Sequence, residues 1–310
     1  MNNRKIPNDI YRLIINKNSN RTYIYRPLVE DPEGSGISYS LKRSPSWLKT
    51  QVVTPNVSSV FSRIKQTGWG YGGIAFDKNG IMYLVHSTLS GVYKVYPNGQ
   101  VEEYAGFNGH VPGGAGGYRT DTRFYYPQSI DIDSEGNIYI ANGDYTIHKI
   151  DTSGFVSLYA GIPQVGGYRD GYRLVAQLHN IFDIFIDNND SIYVAQYGNH
   201  TIRRISKDGI VETIAGGNGD SNCRNLSQLH EPLKVYVDDE KSLYVLDRHG
   251  RVVKWLEGAE EGYIYAGREC STGDDLGSLS YRAPDFVLDR HKNVYVADRN
   301  NHRIVKWSKA

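Results

Sequence analysis

The sequence predicts an all-β fold, a β-propeller of four-stranded antiparallel blades, and three observations predict it. A tyrosine recurs in one phase, at Tyr83, Tyr139, Tyr193, Tyr244 and Tyr295, at intervals of 51 to 56 residues. An aspartate stands six residues before each one, at Asp77, Asp133, Asp187, Asp238 and Asp289. Around each pair the same order of short apolar runs and polar turns is repeated. Four strands per ~50 residues, recurring along the chain, is the plan of propeller blades.

The first strand of each repeat (GIAFD, SIDID, DIFID, KVYVD, FVLD) is alternating or wholly apolar, as an interior strand should be. A turn follows (DKNG, DSEGN, DNND, DDEKS, DRHKN), whose leading Asp can accept backbone N–H bonds and close it. Second strands read IMYLV, NIYIA, SIYVA, SLYVL and NVYVA; third strands read VYKVY, TIHKI, TIRRI, RVVKW and RIVKW. Four copies then run through a fourth strand into Ala-Gly: VEEYAG, VSLYAG, VETIAG and YIYAG. The last copy stops after its third strand, and residues 1–8 offer only a thin candidate, RKI, for the missing outer strand.

Residues 1–68 hold four strand-like runs, DIYRLIIN, RTYIYRPL, GISYSLKR and WLKTQVV, blade-like in length and order. Residues 9–53 are therefore expected to form a degenerate first blade, making 1–310 a single propeller with five clear repeats over 69–310. A rival reading sees in DPEGSGISYSLKRSPSWL a cadherin-like or immunoglobulin-like surface module. Such a module needs ~90 residues or more, longer than the stretch that is free here.

NHRI at 301–304, NHTI at 199–202, VETIAG at 211–216, and AQL with NIFDIFID within 176–187 are similar to NHL repeats. The resemblance implies a propeller, usually of six blades, and six are expected here. Gly91-Val92 and Gly250-Arg251 depart from the Asn-His-Arg-Ile signature.

Lys+Arg 35 against Asp+Glu 34 gives a net charge of +1, which argues against a polybasic nucleic-acid or anionic-membrane binder. RNA binding, known among NHL-type propellers, needs a basic face, yet the linkers mix Arg123, Arg173 and Arg224 with Asp121, Asp170 and Glu231. No apolar leader or ~18-residue membrane run is visible, and the sequence assigns no compartment. Two cysteines exclude a disulfide scaffold; Cys223 and Cys270 fall early in consecutive linkers, with free thiols the default.

Long linkers between blades, 107–126, 162–180, 217–231 and 268–283, are where binding is expected, since loops on a rigid scaffold carry function. GGYRTD at 116–121 and GGYRDG at 166–171 share a phrase. Tyr118, Arg119, Tyr168 and Arg169 are thus candidate binding residues, of types favoured at interface hot spots. Alternatively the phrase is turn chemistry, with the Tyr packed on the blade beneath.

A second candidate is His179 and His230 with Asp183, two imidazoles and a carboxylate that could hold a metal or act as a base. No GxSxG, GxxxxGK[ST], HExxH or CxxC occurs, and Asp131 with Asp133 lacks the Glu of a calcium loop. Ser129, Asp131, Asp183, Lys234 and Asp285 read as the lining of a wet channel.

The reading that follows is a monomeric, non-catalytic propeller without cofactor or catalytic residue, binding a protein or carbohydrate. The alternative is a metal-dependent lyase or lactonase-like hydrolase.

Overall fold

A computed structural model describes Leu13–Ile14, Tyr23–Ile24 and residues 71–308, apart from 108, 113, 115, 218–223, 269–271, 274–276 and 281–284. The chain forms two compact units, Met1–Ile64 and Lys65–Ala310. In the first, β1 (Leu13–Ile14) pairs antiparallel with β2 (Tyr23–Ile24).

The second unit contains five consecutive antiparallel sheets. Blade I is β3 (Tyr71–Phe76), β4 (Met82–His86), β5 (Gly91–Val95) and β6 (Val101–Gly106). A short strand, β7 (Gly117–Tyr118), precedes blade II: β8 (Ser129–Ile132), β9 (Ile138–Ala141), β10 (Ile147–Ile150) and β11 (Phe155–Ala160). Another, β12 (Gly171–Tyr172), precedes blade III: β13 (Ile181–Ile186), β14 (Ile192–Gln196), β15 (Thr201–Ile205) and β16 (Ile210–Gly216). Blade IV is β17 (Lys234–Val237), β18 (Leu243–Asp247), β19 (Arg251–Trp255) and β20 (Tyr263–Gly267). Blade V is β21 (Asp285–Leu288), β22 (Val294–Asp298) and β23 (Arg303–Trp307).

First strands of successive blades pack side by side, β3 on β8, β8 on β13 and β13 on β17. Backbones of blades I and II meet at Gly72-Gly73, where Gly73 N–H donates to Gln128 O at 2.9 Å. A Cβ on Gly72 would stand 2.3 Å from that carbonyl oxygen, so only glycine fits. Apolar side chains from facing sheets fill the space between blades, for example Ile147, Ala160, Leu178 and Ile184 between II and III. This is an all-β propeller with antiparallel blades.

The six-blade expectation is corrected to five blades among the described residues. The span 9–53, expected as a blade, supplies there only β1 and β2, two residues each, and the rest of it lies outside the described residues. It lacks both the Asp-x5-Tyr pair and the Ala-Gly that recur in the clear repeats.

That recurrent pair is a bond. Asp238 Oδ1 accepts from the N–H groups of Glu240 (3.0 Å) and Ser242 (2.9 Å), and its Oδ2 from the Tyr244 hydroxyl (3.1 Å). Asp133, Asp187 and Asp289 repeat the arrangement with Tyr139, Tyr193 and Tyr295. Asp77 closes its turn on Asn79 and Ile81 N–H. The turns also tie forward: Lys241 Nζ donates to Asp187 Oδ2 and Lys292 Nζ to Asp238 Oδ2, each at 2.6 Å. Burial works to raise the Asp238 carboxyl, but the bonds from Lys292, Ser242 and Tyr244 outweigh it and hold it below the usual carboxylate range. Asp238→Ala is expected to cost about 2 kcal/mol, read as a shifted urea midpoint. Loss of ligand binding at an unchanged midpoint would instead make this aspartate a functional residue.

Candidate functional site

Linkers and the loops between second and third strands meet at one end of the blades. Three equivalent backbone bonds join them: Gly143 N–H to Tyr125 O (2.7 Å), Tyr197 N–H to Asn180 O (3.0 Å) and Arg248 N–H to His230 O (2.9 Å). Each linker then turns sharply into its inner strand through a residue with positive φ: Tyr126 (45°), Asn180 (42°) or Glu231 (49°). Three positions later come Ser129, Asp183 and Lys234, which bond to one another across blades. Asp183 Oδ1 accepts from Ser129 Oγ and Lys234 Nζ, both at 2.9 Å, and Oδ2 from Val235 N–H at 3.1 Å. Asp131, one pleat further along, accepts from Ile186 N–H of the next blade at 2.7 Å. Burial pushes its carboxyl up to about 6, against the opposing pull of that bond.

At the mouth above these ties sit residues the sequence did not single out. Exposed Phe182 stacks on Tyr197 with ring centroids 6.1 Å apart. The Arg248 guanidinium lies 5.7 Å from the Tyr197 ring and also bonds the Tyr197 hydroxyl and the Glu231 carboxylate. Burial tends to raise Glu231, but the bonds from Arg248 and Tyr197 prevail and keep it below its ordinary value. Exposed Tyr126 stacks on His110 at 4.0 Å, 11° from parallel. These aromatic and charged groups form a surface suited to stacking and hydrogen bonding. Phe182 is the extra residue of a bulge between Ile181 and Asp183, which turns it outward.

Tyr118 and Tyr168 occupy different kinds of place. Tyr118 belongs to β7, which pairs as a fifth strand on the outer edge of blade II, Tyr118 opposite Phe155. Its counterpart is Tyr172 in β12, paired opposite Ile210 on the outer edge of blade III. Arg119 and Arg173 follow the same rule, lying 4.9 and 4.6 Å from the rings of Tyr104 and Tyr159 on the preceding blade. Thus GYR at 117–119 matches GYR at 171–173, not 167–169. The spacing carried the signal, since Tyr118 to Tyr172 is 54 residues, the same as Tyr139 to Tyr193.

Tyr168 stands on the 162–180 linker and is 77% exposed; Tyr118 is 58% exposed. The linker around Tyr168 is held from below. Buried Arg203 donates to Gln177 O (2.9 Å), Arg169 O (3.1 Å) and Asp170, and Asn199 Nδ2 to Gly167 O (2.6 Å). Arg169 itself turns back to Val175 O, Nη2 at 2.6 Å.

His179, His230 and Asp183 each engage other groups. His179 Nδ1 is 3.1 Å from Asn199 Oδ1, and its ring meets Tyr145 edge-on. His230 lies in a stack between His200 (5.4 Å) and His249 (4.5 Å). Burial lowers its pKa, and the His249 and His200 imidazoles lower it further. Asp183 is buried in its inter-blade ties. Among the described residues no three His, Cys, Asp or Glu side chains converge as metal ligands would. Cys223 and Cys270 lie outside the described residues. No helix is long and apolar enough to cross a membrane among them.

The comparisons accord with this geometry. No family model matches the chain. It is 27% identical over 152 residues to human NHL repeat-containing protein 3, covering 45% of this chain and 43% of that protein. The repeats are similar to those of that NHL repeat-containing protein. Teneurin-3 of Danio rerio is 26% identical over 251 residues, 68% of this chain but 9% of its own length. The chain therefore spans less than half the length of either relative. Among solved structures, a streptogramin B lyase superposes with a TM-score of 0.50 at 12% identity, over 80% of this chain and 85% of that one. A gluconolactonase from Xanthomonas campestris gives 0.51 at 13%, over 78% and 76%. These two show the propeller fold alone.

Proposed function

We propose that this propeller is a non-catalytic binding module that recognises a protein or carbohydrate partner with its linkers, through Tyr168 and Arg169 together with Tyr118 and Arg119. The observation that supports it is Tyr168, a large aromatic in solvent on a loop whose backbone is fixed by Arg203 and Asn199. A pre-ordered aromatic binds at low entropic cost. The Phe182–Tyr197–Arg248 group at the mouth extends the same end of the propeller, whereas Tyr118, opposite Phe155 beside the turn between the third and fourth strands, lies at the other end of blade II. A single-propeller organisation of the chain remains part of this proposal.

The test screens arrayed oligosaccharides and arrayed proteins with the wild-type chain and with a Tyr168→Ala/Arg169→Ala variant. The expected result is a ligand whose affinity falls roughly thirtyfold in the variant, about 2 kcal/mol. Ligands that bind both proteins equally would move the site away from this linker. The catalytic alternative draws on the lyase and lactonase among the fold neighbours and on His179, His230 and Asp183. Metal-dependent hydrolysis of glucono-lactone, lost in His230→Ala, would put that reading in place of binding.

A further inference from the structure

Blade V has the inner three strands of a blade, and among the described residues no fourth strand lies against β23. The consequence shows at one residue. Ile304 is opposite Ala297 of β22, as Val92, Ile147, Ile202 and Val252 are opposite Val85, Ala141, Ala195 and Leu246 in their own blades. Those four side chains are 0% exposed beneath an outer strand; Ile304 is 41% exposed. Among the described residues, an apolar side chain at a core position and the outer hydrogen-bonding edge of Ile304–Trp307 are both left uncovered. An open edge is a template for strand addition.

The other blades specify what fits it. In each, the residue equivalent to Ile304 faces an alanine of the outer strand: Ala105, Ala160, Ala215 or Ala266. Each alanine is preceded by a bulged residue, Tyr104, Tyr159, Ile214 or Tyr265, and followed by a glycine at positive φ. A Cβ on those glycines would lie 2.1 to 2.5 Å from a carbonyl oxygen of the loop before the third strand. The lysine or arginine two residues after the Ile304 equivalent faces an acid in two blades, Lys94 opposite Glu102 and Arg204 opposite Glu212. Lys306 holds that position in blade V. A matching strand therefore reads Val-acid-x-Tyr-Ala-Gly.

These 310 residues offer no unused segment of that kind. Residues 1–70 contain no alanine, and the five Ala-Gly pairs are the four outer strands and Ala115-Gly116 in the linker to β7. We propose that β23 is an acceptor edge for an extended strand of another polypeptide, one carrying an acid and ending in aromatic-Ala-Gly. This site does not depend on the linker-binding reading, and one can fail while the other stands.

The test uses the full chain and a synthetic peptide with the sequence of residues 98–107, NGQVEEYAGF, this protein's own outer strand of blade I. The expected result is saturable binding, with hydrogen exchange at the Ile304–Trp307 amides slowed at least tenfold by the peptide. Peptides with the alanine replaced by leucine, or the glycine by valine, should bind at least tenfold more weakly. No binding of the parent peptide overturns the proposal, as does equal binding of all three. It is overturned too if those amides in the free protein are already as protected as Val252 and Val253. Concentration-independent protection would mean cover by this chain, and concentration-dependent protection a second copy.

Discussion

Asp183→Ala is expected to destabilise the protein by about 3–5 kcal/mol, the size of loss seen when one partner of a buried ion pair is removed. Asp183 is the junction of three blades: Ser129 reaches it from blade II and Lys234 and Val235 from blade IV. Its removal leaves the Lys234 ammonium, 15% exposed, without its counter-charge, and Val235 N–H without an acceptor. Asp183→Asn keeps an acceptor but not the charge, so its loss should fall between Ala and wild type. Urea denaturation followed by tyrosine fluorescence measures both. A change under about 1 kcal/mol for Asp183→Ala would mean that inner strands are held by packing alone and these ties are incidental. The same variant tests the catalytic alternative, because a metal ligand at Asp183 would make the wild-type melting temperature sensitive to a chelator.

Gly216→Ala should be nearly as severe, at about 3 kcal/mol or more. At φ +75° a side chain is strained by roughly 1–3 kcal/mol on its own. The added Cβ would also stand 2.1 Å from His200 O, a backbone atom that cannot rotate aside. The loop carrying His200 must shift, and it contacts His230 and Glu231 at the mouth. The expected result is a lowered melting temperature with faster amide exchange across β15 and β16. Gly80→Ala is the control, since its φ is also positive but nothing lies within 4 Å. If the two variants lose equal stability, strain and not the close approach accounts for the effect.

Much of the fold was legible because the repeat is made of bonds that leave a sequence trace. Asp-x5-Tyr is a carboxylate capturing a hydroxyl, and the terminal Ala-Gly is a small residue beneath a neighbour followed by a forced left-handed turn. Both need one residue type at one spacing. The site was less legible. Phe182, Tyr197 and Arg248 occupy positions where other blades carry Gln128, Leu233 and Gly143, so repetition gives no hint of them. The shared phrase GGYR misled by four residues because Gly-Tyr-Arg occurs twice in the same linker. Only the second copy, at 171–173, keeps the interval of the blades. The ring count failed for the opposite reason: residues 9–53 have the apolar runs of strands but, in sequence, neither the Asp-x5-Tyr pair nor the Ala-Gly of the clear repeats.

The lysine ties between turns run in one direction only. Asp187 is neutralised by Lys241 of the following blade, and Asp238 by Lys292 of the one after that. Detaching a blade from the C-terminal side leaves a buried carboxylate without its cation, whereas detaching one from the other side leaves an unpaired ammonium that is about a quarter exposed and better hydrated. The array therefore has a polarity, and damage to it should spread more readily toward the N-terminus than away from it.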